Sequence, residues 1–302
     1  MQILNMIVIV RLIYQVFFII DNMGKNLLTN KIILITGATS GIGKETAIGL
    51  AKLNATIIFT TRDLLKGEKV KKELIKKTNN KNIHMLKCDL ASFESIRNCC
   101  KEFISKYDRL HVLINNAGVW DFKRRESKDG IENIFATNYL APFLMTTLLL
   151  DLLKKSSPSR IINVTSGMHY GTINFDDIEF KHNFSGAKAY RQSKLGLILF
   201  TRLLAKKLDG TGVTVNTAHP GMNKTDLGRD AGGFSKIIFK MMGKDPKIGA
   251  DTLIYLASSS ELKNISGEYF AKKKIKKSSK ESYNIITAEK LWDLSDKYLK
   301  KF

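Results

Sequence analysis

Tyr190 and Lys194 stand four residues apart in the run Ala189-Tyr190-Arg191-Gln192-Ser193-Lys194. On a helix that spacing sets two side chains beside each other on one face. An ammonium next to a phenol favours the phenolate and draws its pKa down from about 10, toward the range in which a tyrosine can exchange protons with a substrate. The pair has the outline of a general acid/base. A solvated helix shows the same spacing by chance, so its meaning depends on the elements that would set a cofactor and a substrate against it.

Upstream, residues 31–36 form a short β-branched run that meets Gly37-Ala38-Thr39-Ser40-Gly41-Ile42-Gly43, ahead of an amphipathic stretch over 44–53. Strand, glycine turn and helix in that order let the backbone approach a pyrophosphate and aim free N–H groups and the positive helix end at it. A second strand over 55–60 leads to Thr61-Arg62-Asp63, about 20 residues past the last glycine, where the residue facing the adenosine ribose falls. Arg62 there would pair with a 2′-phosphate, favouring NADP(H) over NAD(H), and Lys44 would add to the positive field. Asp63 reads as the N-cap of a helix over 64–77. Were the strand one residue longer, the acid would take the ribose position instead. A third strand over 83–88 ends at Asp89, which either accepts from an adenine amino group or caps a helix over 92–107. A fourth, over 110–114, runs into Asn115-Asn116-Ala117-Gly118. Small and amide residues suit the carboxyl edge of a central strand, where open α/β sheets bind their ligands.

Downstream, a long helix over 131–153 carries Asn138 and is interrupted around Pro142. The strand over 161–164 ends at Thr165-Ser166 and sets a hydroxyl at the sheet edge. A helix over 187–208 bears Tyr190 and Lys194, and a strand over 213–218 leads to the turn His219-Pro220-Gly221, in which His219 reads as structural.

Features in this order resemble the short-chain dehydrogenase/reductase family, from Lys31 to about Phe270. The resemblance rests on Thr36-Gly37-x3-Gly41-x-Gly43, Asn115-Asn116-Ala117-Gly118, Asn138, Ser166, Tyr190-x3-Lys194 and Pro220-Gly221. Within the family, Tyr190-Arg-Gln-Ser-Lys-Leu-Gly, His219-Pro-Gly-x3-Thr225-Asp-Leu-Gly, Ser266-Gly-Glu-Tyr-Phe and Leu291-Trp-Asp-Leu-Ser resemble the retinol dehydrogenase branch, close to the WW-domain oxidoreductases without their WW modules.

The resemblance implies an α/β fold: a single-domain Rossmann fold with a doubly wound parallel sheet and helices on both faces. It makes Tyr190 the acid/base, with Lys194 lowering its pKa and binding the nicotinamide ribose. Ser166 would hold the substrate carbonyl oxygen, and Asn138 a water linking Lys194 to solvent. The cofactor contacts it implies are Gly37, Ser40, Gly41, Ile42, Gly43, Arg62, Asp89, Leu90, Asn116, Ala117, Gly118, Pro220, Gly221 and Thr225, with Tyr190 and Lys194. The expected activity is NADP(H)-dependent interconversion of a small lipophilic alcohol and its aldehyde or ketone, retinoid-like. An idle NADP-binding sensor or a broad-specificity carbonyl or steroid reductase would share the same cofactor half. Residues 174–184 read as an insertion or lid, and the apolar stretch 228–242 as a specificity flap. The family often pairs as a homodimer through the helices around Asn138 and Tyr190.

Composition sets the outer limits. A chain of 302 residues with 44% hydrophobic residues can bury a full core, and 4 prolines with no Gly/Ser-rich linker argue for one domain. Cys88, Cys99 and Cys100 have neither metal-ligand spacing nor an even-numbered framework, which points to a reducing compartment. The charge of +21 comes from lysines spread along the chain, and the densest run, 272–277, lacks the interleaved aromatics of base stacking, so no nucleic-acid partner is expected. An anionic membrane surface remains in keeping with the charge.

Residues 3–20 are apolar except for Asn5, Arg11 and Gln15, close to the roughly 20 residues that span a bilayer, although a central arginine costs about 2.5 to 3.5 kcal/mol. Residues 1–24 therefore read as a membrane anchor and 25–302 as the NADP-binding domain. Lys25 and Lys31 follow the apolar run, so the domain would face the cytoplasm, most simply from the endoplasmic reticulum membrane. A mitochondrial presequence or an interfacial helix are the competing readings.

Overall fold

Runs rich in isoleucine, valine and leucine build one sheet in the computed structural model, which describes residues 27–221 and 245–301. Its strands are β1 (Ile32–Ile35), β2 (Thr56–Thr61), β3 (Ile83–Lys87), β4 (Val112–Asn115), β5 (Ser159–Val164), β6 (Val213–His219), β7 (Tyr269–Ala271) and β8 (Lys274–Ile275). They lie in the order β3-β2-β1-β4-β5-β6-β7-β8, parallel throughout except for the antiparallel β7–β8 hairpin. The order reverses between β1 and β4, and a crevice opens beyond the carboxyl ends of strands at such a switch point.

The helices are α1 (Gly41–Lys52), α2 (Leu64–Thr78), α3 (Phe93–Lys106), α4 (Asn133–Lys155), α5 (Gly186–Lys207), α6 (Pro246–Ser258) and α7 (Ile285–Lys301). Successive strand residues point to opposite faces, so both faces of a covered parallel sheet are apolar. Ile33, Ile35, Ile57 and Phe59 pack with Leu50 of α1, Leu74 of α2 and Leu253 of α6. On the other face Leu34, Ile58, Leu113 and Ile161 pack with α3, α4, α5 and α7 through Phe103, Phe143, Leu199 and Leu291. This is the doubly wound arrangement expected from the sequence. Observed ends differ from the expected ones by up to three residues, the largest difference being at the start of α1, which begins at Gly41 inside the glycine turn.

The interruption expected near Pro142 takes a definite form. Residues Ala136–Leu140 of α4 are a π-turn, in which the Ala141 N–H donates to the Ala136 carbonyl. In an unbroken α-helix residue 142 would donate to the Asn138 carbonyl, but proline has no N–H and its ring would collide with that oxygen. The wider turn avoids the collision and presents Asn138 from inside the helix. Among the described residues α4 is the one helix long and apolar enough to cross a bilayer, yet it is mostly buried against the sheet.

Helix α7, which carries Leu291-Trp-Asp-Leu-Ser, lies over α4 and α5. The Trp292 ring is 4.9 Å from Phe143 and 5.7 Å from Phe200, and the Ser295 hydroxyl donates to the Tyr139 hydroxyl at 2.9 Å. It covers within the chain part of the face that the sequence reading assigned to pairing. Cys88, Cys99 and Cys100 are buried and free.

A polar ladder crosses this core. Asn115 Nδ2 donates to Asn163 Oδ1 at 2.8 Å and to Thr146 Oγ1 at 3.1 Å, and Asn163 Nδ2 donates to Thr201 Oγ1 at 2.9 Å. It joins β4, β5, α4 and α5 just below the site. Asn163→Leu would leave the Asn115 amide and the Thr201 hydroxyl short of a partner, at about 1–3 kcal/mol for each buried group left unsatisfied. Urea unfolding should show a loss of at least about 2 kcal/mol with an unchanged m-value.

Candidate active site

The site begins where β1 and β4 end. Thr36 Oγ1 accepts from the backbone N–H groups of Asn116 and Ala117, each at 3.0 Å, while Asn116 Nδ2 donates to the carbonyls of Thr36 at 2.8 Å and Gly37 at 3.2 Å. The contact is so close that a Cβ on Gly43 would lie 2.4 Å from both Asn116 Nδ2 and the Gly37 oxygen. A Cβ on Gly37, at φ +69°, would lie 2.8 Å from the Ala117 Cα. Ser40 is the N-cap of α1 but makes no side-chain capping bond, whereas α2, α3, α5 and α6 are capped by Asp63, Ser92, Ser185 and Asp245. No acidic residue lies in the first turn of α1 either. A glycine turn at a helix N-terminus that has neither a side-chain capping bond nor an acidic first turn fits the pyrophosphate of a dinucleotide. Ile42 is buried behind the turn, and Gly41 takes φ +55°.

At the ribose end, β2 runs to Thr61, one residue past its expected end and so the case in which the acid was to take the ribose position, but Arg62 is exposed just beyond it. Asp63 Oδ1 accepts from Lys66 N at 3.0 Å, so the acid is the N-cap of α2. Lys44 departs from expectation. Its ammonium is 3.0 Å from Glu73, whose carboxylate is held below its ordinary range by hydrogen bonds from Lys77 and Lys44, and that pairing offsets the charge Lys44 was expected to lend. Asp89 accepts from Ala91 N at 3.1 Å and pairs with Lys128 at 3.0 Å, while Ser92 caps α3. Leu90 is half-buried beside it.

The groups expected to react converge from different elements. Ser166, just past β5, accepts from Met168 N at 3.1 Å, and its hydroxyl is near enough to the Tyr190 phenol of α5 to lower that phenol's pKa. One turn along α5, Lys194 Nζ donates to the Val164 carbonyl at 3.0 Å and lies 5.5 Å from the Tyr190 ring centre. From the π-turn, Asn138 accepts from Val119 N at 2.7 Å and donates to Val119 O at 3.0 Å and Ser193 Oγ at 3.2 Å. Gly118 lies between, since a Cβ there would be 3.4 Å from both Asn138 Oδ1 and Lys194 Nζ. Pi-turns recur where a helix must present a functional side chain.

Burial sets the charge states. It pushes Tyr190 up to about 12, a rise the nearby Ser166 hydroxyl only partly offsets, and Lys194 down to about 8. This corrects the expectation that Lys194 draws the tyrosine down. In the chain itself loss of water outweighs attraction, because the ammonium bonds to a backbone carbonyl and meets the phenol only across its ring.

Two residues near the site escaped the sequence reading. Trp120 packs on Tyr190 with ring centres 4.6 Å apart and planes tilted by 32° and, with Val119, Met168 and Phe184, makes an apolar wall. Its one signal is an aromatic residue directly after the Asn115–Gly118 sheet edge. His169 accepts from the Ser279 amide and contacts the Ser166 carbonyl. The segment 174–184, expected as an insertion or lid, is fastened to α5: Gln192 accepts from Asn174 N at 2.8 Å and donates to Ile178 O at 2.9 Å, with Phe180 buried. Beyond β6, Gly221 takes φ +86° after Pro220, and its N–H donates to His219 Nδ1 at 3.4 Å, in keeping with a structural histidine. Thr225, the stretch 228–242 and the apolar segment 1–24 lie outside the described residues.

Known proteins are similar to this chain in sequence and fold. A sequence model of the short chain dehydrogenase family matches residues 31–233. Human retinol dehydrogenase 13 is 41% identical over 278 residues, covering 89% of this chain and 84% of that protein. Human retinol dehydrogenase 14 is 40% identical over 290 residues, covering 89% and 86%. Among solved structures, a Mycobacterium paratuberculosis protein superposes with a TM-score of 0.74 at 29% identity, covering 90% of this chain and 94% of the other. The Pseudomonas aeruginosa RhlG/NADP complex does so with a TM-score of 0.66 at 26% identity, covering 82% and 96%. The chain belongs to the short chain dehydrogenase family. Within it the chain falls in the retinol dehydrogenase-like branch and is an oxidoreductase acting on alcohols.

The buried lysine has a measurable consequence. With its pKa lowered from 10.5 to about 8, the folded chain holds fewer protons than the unfolded chain between those values, so stability rises with pH across that window. The rise is worth up to about 3 kcal/mol. Lys194→Met, which removes the buried ammonium, should lack this rise, so melting curves of the two proteins should converge or cross between pH 8 and 10.5.

Proposed function

We propose that the chain is an NADP(H)-dependent oxidoreductase that interconverts a lipophilic, retinoid-like alcohol and its aldehyde or ketone. The observation that carries this reading is the meeting of the Ser166 hydroxyl and the Tyr190 phenol beside an apolar wall, at the sheet edge that also holds the glycine turn.

When bound, the nicotinamide supplies or takes the hydride at the reacting carbon. The chain's own residues do the rest. Gly37, Gly41 and Gly43 with the α1 N-terminus bind the pyrophosphate, and Arg62 pairs with the 2′-phosphate. Asp89, Leu90, Asn116, Ala117 and Gly118 flank the adenosine and ribose, and Pro220, Gly221 and Thr225 the nicotinamide. Negative charge grows on the substrate oxygen in reduction, and Ser166 donates to it while Tyr190 delivers its proton. A pKa near 12 keeps that proton in place until the alkoxide forms. Lys194 adds positive charge beneath the phenol, and Asn138 holds Val119 and a water that leads to solvent.

NADP in the RhlG complex, the exposed Arg62 and the capping role of Asp63 together support the phosphorylated cofactor. The retinol dehydrogenases at about 40% identity and the apolar wall support a lipophilic substrate. The apolar segment 3–20 and the charge of +21 support attachment to a membrane, with the domain on the cytoplasmic side of the endoplasmic reticulum.

Steady-state assays with retinal and simple aldehydes, run with NADPH and NADH side by side, test the reading. Tyr190→Phe should lower kcat by about 100-fold or more, and full turnover by that variant rejects the mechanism. Arg62→Leu should cut the preference for NADPH by about tenfold, the equivalent of one charge-assisted bond. Carbonyl reduction needs a proton on Tyr190 and charge on Lys194, so kcat/KM should be level below pH 8 and fall as the pH rises through about 8.

A further inference from the structure

The backbone carbonyl of Ser166 is a junction. His169 Nδ1 lies 2.7 Å from it, and the Tyr269 hydroxyl donates to it at 3.4 Å. On its far side the same imidazole meets Ser279, whose N–H donates to Nε2 at 3.0 Å and whose hydroxyl donates to the His169 carbonyl at 3.0 Å. A ring nitrogen that accepts an N–H bond carries no proton, so the single proton of the neutral ring sits on Nδ1 and points at Ser166. One tautomer satisfies both partners, and the other satisfies neither. Burial of the ring favours its neutral form.

Both ends of this link are placed to matter. Ser166 lies two residues past the end of β5, and residues 165–170 are in neither helix nor strand, so the sheet no longer dictates the serine's backbone. Ser279 is itself anchored. Its carbonyl accepts from the Ser282 hydroxyl at 2.6 Å, and its neighbour Ser278 accepts from Arg202 of α5 at 3.2 Å. The chain after β8 therefore offers a fixed point, and His169 spans the distance from it to the serine.

We propose that His169 is a positioning residue which, as the Nδ1-protonated tautomer, holds the Ser166 backbone to Ser279 and so sets the direction of the Ser166 hydroxyl. This rests on the reading of Ser166 as the group that holds the substrate oxygen. Orientation is where such a brace acts, since a displacement of about 1 Å in a reacting group can cost about 100-fold in rate.

Three substitutions in the full chain separate the two contacts. The Asn amide nitrogen falls near the position of Nδ1, so His169→Asn keeps the donor to Ser166 and gives up Ser279. The Gln side-chain oxygen falls near Nε2, so His169→Gln keeps Ser279 and gives up Ser166. His169→Ala loses both. The expected result is a fall in kcat of about 10- to 100-fold for the Ala and Gln variants, with KM for NADPH within about twofold of the parent and the Asn variant restored to within a few-fold. Hydrogen exchange at the Ser279 amide should be slow in the parent and the Gln variant and fast in the Ala and Asn variants. Nitrogen-15 spectra of histidine-labelled protein, assigned by loss of the signal in His169→Ala, should put the ring proton on Nδ1. Parent-like kcat in His169→Ala, equal loss in the Asn and Gln variants, or a ring protonated on Nε2 would each overturn the brace. The spectrum and the exchange rates do not depend on turnover. A parent chain that reduces no carbonyl therefore refutes the proposed function, while those two readings still decide for or against the tie between Ser166 and Ser279.

Discussion

The carboxyl ends of β1 and β4 are pulled into contact by Thr36 and Asn116, and the rest of the site follows from that contact. Two backbone N–H groups share one threonine hydroxyl, and one asparagine amide bridges two successive carbonyls. Side chains at Gly37 or Gly43 would force these strands apart. The crevice at the switch point is therefore narrow, lined by backbone and open to the N-terminus of α1, an arrangement matched to an anionic cofactor.

The same geometry explains why the reacting groups are buried and yet supported. Ser166, Tyr190, Lys194 and Asn138 come from the end of β5, two turns of α5 and the π-turn of α4. No single element could bring a hydroxyl, a phenol, an ammonium and an amide together this closely. The elements are held in register by the polar ladder from Thr146 through Asn115 and Asn163 to Thr201. Desolvation keeps the tyrosine protonated and brings the lysine's pKa down to about 8. The proposed proton donor is thus loaded in the resting chain.

The C-terminal part of the chain takes a larger share in this arrangement than its distance in sequence suggests. Helix α7 covers Tyr139, within the π-turn that carries Asn138, and Phe143 just beyond it, and the segment before α7 reaches His169 through Ser279. Both sides of the proposed reacting centre are therefore backed by residues beyond β8.

Much of this was legible in the order of residues. Strand, glycine turn and helix around Gly37–Gly43, the cap at Asp63 and the pair Tyr190-x3-Lys194 are local patterns, written within a few residues of one another by backbone sterics and helix periodicity. The family that such units in this order resemble was enough to imply the sheet with helices on both faces. What the order of residues could not carry was the electrostatic balance and the long-range partners. Lys44 finds Glu73, 29 residues away, and His169 finds Ser279, 110 residues away. The depth at which Tyr190 and Lys194 are buried depends on α4, β5 and Trp120 together. Hydrogen bonds and desolvation depend on distance in space, and only the packed fold sets that distance. The sequence by itself determined which chemistry is available, and the tertiary structure decided which groups are charged, which are held, and by what.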